Sequence, residues 1–386
     1  EDGIRDHCVT GVQTCALPIL TLRKGLAAAA VVACVVLGGC SSESPAPTSV
    51  PSPTNSPVAT SSVPTTSGSD STVPAVTSDS TEAPTSLAPA AAVYPLTGLP
   101  VTNPAIAARP ALVVKIDNNA KARPQSGLNE ADIVFEEIVE VQTRFAAVFH
   151  SGVADPVGPI RSGRTQDIDL LGSFNRPLFA WSGGNPNVTA AIEGSDLREL
   201  SALKSAAYRG GGFYRDEQRK KPHNLYAKGS LLFSLAPPDA GPPPQQFSYL
   251  APGDSYTGAP ATSLTGDMDG LKVQWTFDAT SGHYLRSSAG EAHGDALSGQ
   301  VSTDNIIVMF VDYRPSVADA RSPEAQTIGA GAALVLRGGW VVNCTWVRAD
   351  RFSPIVLTDA AGAVVKLTPG RTFVELARPE TFVTAP

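Results

Sequence analysis

The chain has 386 residues, of which 42% are hydrophobic and 17% charged, and its formal net charge is −7. Four of its acids (Glu43, Asp70, Asp79, Glu82) lie in a tract that carries no Lys or Arg, and the chain from Val93 onward is close to balanced. That balance argues against a nucleic-acid partner, and 20 arginines against nine lysines point to GC-rich coding rather than to a basic patch.

In chain order, residues 1–19 come first. Val9 to Ile19 reads as the in-frame translation of a sequencing adapter, so 1–19 is treated as an artefact, with the true start expected near Leu20. Arg23 and Lys24, the apolar run Leu26–Leu37 and the lipobox Leu37-Gly38-Gly39-Cys40 then predict a lipoprotein signal peptide over 20–39. The run is too short for a membrane-spanning helix, and Cys40 is the expected lipidation site, where two acyl chains suffice for stable anchoring. From Cys40 to 92 follows an expected disordered stalk: 32 of residues 41–92 are Ser, Thr or Pro, and none is aromatic. As a flexible coil it would span about 40 Å, and as extended polyproline II up to about 160 Å. The predicted location is the outer face of the bacterial cytoplasmic membrane, with the head reaching into the cell wall.

The head reads as two parts around a proline-rich stretch, 237–261. Over 93–236, strand-like runs (Ala111–Ile116, Ile133–Val139, Arg144–Phe149, Pro177–Trp181) alternate with helical ones (Asp167–Phe174, Val188–Glu193, Asp196–Ser205). That pattern predicts an α/β or α+β domain. Over 262–386, short runs such as Lys272–Phe277, Asn305–Tyr313, Trp340–Arg348 and Thr372–Leu376, separated by glycine turns, predict a smaller, mostly antiparallel β domain. With scar, signal and anchor set aside, Cys344 is the one cysteine of the head, which excludes an intrachain disulfide there; its strand context predicts a small buried hydrophobe.

No Gly-x-Ser-x-Gly elbow, His-Glu-x-x-His, Walker loop or Cys-x-x-Cys pair is present, so no cofactor or metal is expected. Polar residues gather instead in four segments: Asp117–Gly127, Thr143-Arg144, Gly158–Arg164 and Tyr214–Tyr226. Arg161 and Arg164 follow a strand and a Gly-Pro turn and lead into a helix, a natural anion site; alternatively they pair with Asp132, Asp167 or Asp169 to brace a loop. Arg123 and Arg144 are further anion contacts, with Asp117, Asn118 and Asn224 orienting them. His223 is the best acid–base candidate, with Asp117 and Asp216 as alternative bases, although a loop histidine satisfied by backbone is the plainer reading. His150 could border the same site. His283 and His293, near Asp295, are weak grounds for a metal.

These segments together resemble the YerB-like lipoprotein family, whose two-part head is known as domain of unknown function 3048. The resemblance rests on Pro95–Pro100, Ile116-Asp117-Asn118, Ala122–Leu128, Ala131–Glu136, Thr143-Arg144-Phe145, Gly158–Ser162, Phe213–Asp216, Pro222–Tyr226 and Gly370-Arg371-Thr372. It covers 93–386 and implies no activity, because the family's role is itself unassigned. The reading is therefore an exported, lipid-anchored protein that binds an anionic envelope polymer or a wall-assembly protein through the first domain. The alternative is a hydrolase or transferase acting on wall polymers or lipid-linked phosphates.

Overall fold

The computed structural model describes residues 92–202, 212–255 and 258–386. The expected artefact (1–19), signal peptide (20–39), lipidation site Cys40 and stalk up to residue 91 lie outside the described residues.

The described residues belong to one compact unit. Its backbone is an eleven-stranded mixed sheet to which both parts of the sequence contribute. The first part supplies β1 (Leu112–Asp117), β2 (Ile133–Val139), β3 (Gln142–Phe149), β4 (Leu178–Trp181) and β5 (Arg198–Ser201). From one edge the order is Val356–Thr358, Trp340–Arg348, Gly329–Arg337, Asn305–Phe310, Thr372–Ala377, β2, β3, β1, β4, β5, and the eleventh strand, Ala259–Pro260, pairs with Trp340–Arg348 off this path. The seam is the parallel pairing of β2 with Thr372–Ala377, which sets Glu136 beside Glu375. Strand directions are mixed before the proline stretch and mostly antiparallel after it, as the sequence predicts. The two parts nevertheless share one sheet. The proline stretch also packs down: Phe247 and Gln246 are buried, and Gln246 bonds Ser173 at 2.9 Å.

Strands buried on both faces explain why these runs are nearly continuously apolar. One face (Ile116, Val134, Phe145, Phe373) packs against a six-stranded sheet that includes Ser263–Met268, Leu271–Asp278 and His283–Ser288. Trp275 of that second sheet meets Phe373 at 4.8 Å between ring centroids. The other face (Val113, Phe135, Val148, Phe179, Trp181) is covered by the short helices Gln166–Leu170 and Pro186–Glu193. Asn185 caps the second of these through the Val188 amide at 2.9 Å.

The segment Asp196–Ser205, expected to be helical, contains the edge strand β5 instead. Its backbone pairs in parallel with β4, and Leu200 and Ser201 are buried while Arg198 and Glu199 stay partly exposed. A charged edge strand carries too few alternating residues to be told from a short helix. Cys344 is half-buried against the core, and burial pushes its thiol up to about 12.

Candidate functional site

Three loops converge at the carboxyl end of β1. The segment around Gly158–Arg161 threads between β1 and β6 (Leu225–Ala227): the Asp117 amide donates to Pro159 O at 2.9 Å, and the Ile160 amide to Leu225 O at 2.6 Å. Gly158 has φ +143, and a Cβ there would lie 2.9 Å from Leu225 O, so the close approach needs glycine. Arg219 pins the third loop onto the first, donating to Ala122 O at 2.9 Å and Pro124 O at 2.8 Å. The peptides before Pro124, Pro159 and Pro222 are cis.

Where the loops meet, Asp117 is fully buried. Its Oδ2 lies 2.7 Å from His223 Nδ1 and 3.1 Å from Arg161 Nε, while Oδ1 accepts the Asn119 amide at 3.0 Å. The Arg161 Nε–H is not aligned as a hydrogen bond, so charge rather than directionality holds that contact. A carboxylate at Nδ1 selects the Nδ1–H tautomer and leaves Nε2 as the basic nitrogen of His223. No described residue bonds that nitrogen. The His223 and Arg161 side chains are 13% and 20% exposed, so both keep a limited contact with solvent.

Arg144 lies opposite Asp117 in the β1–β3 register. It is 4% exposed, donates Nη1 to Ser162 O at 2.7 Å, and keeps a buried Nε–H with no partner. Burial, and then the Arg164 and Arg161 charges, pull its guanidinium down to about 10, which leaves it charged at neutral pH. Asp117, Arg161 and Arg144 together carry one excess positive charge. A buried donor without a partner is costly, and an acceptor, a water or an anion, relieves it.

The other expected residues stand around this centre in different ways. Arg164 is held by Glu140, Nε and Nη2 donating to the two carboxylate oxygens at 2.9 and 2.8 Å. Burial works against the Glu140 carboxylate, but Arg164 outweighs it and holds Glu140 below the usual range. The Arg164 guanidinium is thus braced by Glu140 rather than by Asp132, Asp167 or Asp169, although Asp167 accepts the Arg164 backbone amide at 2.7 Å. Asn118 is buried, donating to Glu136 at 2.9 Å and Thr143 at 2.7 Å and accepting from Arg123 at 3.1 Å. Asn224 accepts from Arg215 at 2.8 Å and donates to Asp216 O at 3.0 Å. The Asp216 carboxylate caps its own turn at the Gln218 amide, 2.9 Å away, and is not part of the His223–Asp117 contact. His150 is buried beside Tyr94 and bonds Asp132 through its amide. His283 pairs with Asp304 at 3.0 Å, while His293 joins a different network, so the two do not converge.

That network went unread in the sequence. Glu136 accepts from Arg286, from Thr143 at 2.6 Å and from Asn118, tying the second sheet to the site. Arg286 also bonds His293, whose Nε2 faces Gln125 Oε1 at 2.8 Å; burial and then Arg286 hold that imidazole well below its ordinary range, so it stays neutral. Burial and then Glu136 push the Glu375 carboxyl well up, and it accepts from Trp275 at 2.9 Å. On the opposite face Lys115 bonds Glu137 and, at 2.7 Å, Asp167, all three buried. The one signal was charge inside apolar runs: Lys115 in β1, Glu136 and Glu137 in β2, and Glu375 in Thr372–Ala377.

The family described as "Protein of unknown function (DUF3048) N-terminal domain" matches residues 96–238, and its C-terminal counterpart matches residues 265–374. The chain belongs to the YerB-like DUF3048 family. "Putative lipoprotein YerB" of Bacillus subtilis (strain 168) is 29% identical over 292 residues, which cover 73% of this chain and 85% of that protein. The crystal structure of the YerB protein from Bacillus subtilis superposes with a TM-score of 0.67 at 25% identity, covering 76% of this chain and all of that one. The shared-sheet fold is thus the YerB fold. No helix among the described residues of this YerB-like chain is long and apolar enough to cross a membrane.

Proposed function

We propose that this YerB-like protein is a lipid-anchored envelope protein whose head binds an anionic group, phosphate or carboxylate, of an envelope polymer or wall-assembly partner. The kinship with a protein named as a lipoprotein and the lipobox at Cys40 support the anchor at the outer face of the cytoplasmic membrane. The observation that carries the binding reading is the buried, unpartnered Nε–H of Arg144 beside Arg161 and the Asp117–His223 pair. Those groups offer guanidinium donors and one excess positive charge at a partly open surface. A calorimetric titration with a glycerol phosphate polymer tests it. Saturable binding that Arg161→Gln weakens at least tenfold is the expected result, and equal binding by the variant removes the assignment.

A second reading is favoured by the Asp117–His223 contact alone. A histidine fixed through Nδ1 on a buried carboxylate is the arrangement of a general base, and would suit hydrolysis of a phosphodiester. Incubation of polyprenyl phosphates and wall polymers with the wild type and with His223→Gln decides it. A product that forms only with the wild type supports catalysis, and unchanged ligand leaves binding as the role.

A further inference from the structure

Ser162, the residue after Arg161, lines a cleft of 540 Å³ together with Glu140, Arg164, Asn185, Asp319 and Arg321 among others. Ser162 links the two places directly: its carbonyl accepts from Arg144 of the anion site, and the same residue lines the cleft. The volume is in the range of small-molecule sites, which run from about 300 to 1,000 Å³.

The cleft differs from the anion site in its charge balance. Arg164 is matched by Glu140, and Arg321 by Asp319 at 3.1 Å, so the charged lining sums to zero. Asp319 also accepts from Asn185 at 2.9 Å, which fixes the second pair against the start of the Pro186–Glu193 helix. Each guanidinium already has its carboxylate, so a second anion would have to displace an acid. Besides these two ion pairs the lining includes Ser162, and polar groups of this kind suit closely spaced hydroxyl groups. Val141, 91% exposed at the rim, adds a small apolar surface for the carbon face of such a molecule.

We propose that this cleft receives the neutral, polyhydroxylated portion of the ligand whose anionic group lies at Arg144, Arg161 and His223. The ligand class is then a sugar phosphate or a sugar-phosphate unit of a polymer. This rests on the anion-binding reading and adds a second subsite to it.

The test is calorimetric titration of the full chain with inorganic phosphate, glucose 1-phosphate and glucose. Arg161→Gln and Arg321→Gln run alongside; the Arg321 side chain is 86% exposed, so its replacement leaves the fold intact. Glucose 1-phosphate should bind at least tenfold tighter than phosphate. Arg321→Gln should erase most of that advantage without changing phosphate affinity, and Arg161→Gln should weaken both ligands. Phosphate and glucose 1-phosphate binding equally, or an advantage untouched by Arg321→Gln, overturns the sugar subsite while the anion site stands. No binding of either, or binding indifferent to Arg161→Gln, overturns the anion site and the subsite with it.

Discussion

Replacing Glu137 with glutamine should flatten the dependence of stability on pH. Glu137, Asp167 and Lys115 are all fully buried, two acids to one base. Burial, then the Asp167 charge, push Glu137 from 4.5 up to about 7 despite Lys115. A carboxyl with a raised native value contributes its stability fully below the unfolded value of 4.5 and loses it as pH rises toward 7, because the native state holds the proton longer. At about 1.4 kcal/mol per pH unit, the loss is about 3 kcal/mol, most of it between pH 5 and 8. In Glu137→Gln the amide carbonyl still accepts from Lys115 and Gln166, and the charge that must be buried at high pH is gone. Urea unfolding at pH 5, 6, 7 and 8 reads the difference directly. The variant should lose less stability than wild type across that range, while Asp132, which burial pushes up to about 6, adds to the fall in both proteins and His150, which burial pulls down to about 4, opposes it in both. A variant whose stability follows pH as steeply as the wild type's refutes the reasoning.

Other outcomes follow from the same contacts. Arg286→Met should cost about 3–5 kcal/mol in urea unfolding, because it strands Glu136 without its partner, whereas Glu375→Gln, which removes a charge that burial and Glu136 disfavour, should cost about 1 kcal/mol or less. Gly331→Ala should lower stability by about 1–3 kcal/mol, since its Cβ would sit 2.6 Å from Trp346 Nε1 and 2.8 Å from Phe310 O. The Cys344 thiol, pushed up to about 12 by burial, should be alkylated by iodoacetamide at pH 8 at least ~100-fold more slowly in the native than in the unfolded chain, as peptide mapping would record.

The strands of the central sheet were legible because burial on both faces makes their sequences nearly continuously apolar, as in Leu112–Ile116 and Ile133–Phe135. β5 was not, because Arg198-Glu199-Leu200-Ser201 is short, charged and at an edge. That two sequence parts would merge into one sheet was hidden as well. Nothing local in Thr372–Ala377 announces that it pairs with β2, more than 230 residues earlier. At the site, local chemistry marked Asp117, Arg144, Arg161 and His223 as notable. Their meeting depends on loops 106 residues apart in sequence, and no spacing rule reports that. Arg164 carried the same local signal as Arg161, yet Glu140 at the tip of the β2–β3 turn takes its guanidinium. The buried acids Glu136, Glu137 and Glu375 were visible as charges inside apolar strands, where a partner is required. Which partner each one finds is set by register and by the second sheet.

The account's central claim is that Arg144, Arg161 and His223 form one anion-binding centre, and the imidazole of His223 reports on it. Nitrogen NMR of the His223 ring during a titration with glucose 1-phosphate follows Nε2, the nitrogen not engaged by Asp117. The account predicts a saturable shift of the Nε2 resonance, with Nδ1 still bonded to Asp117, and loss of that shift in Arg161→Gln. An Nε2 resonance that stays in place while the ligand binds elsewhere, or that never responds, would contradict it.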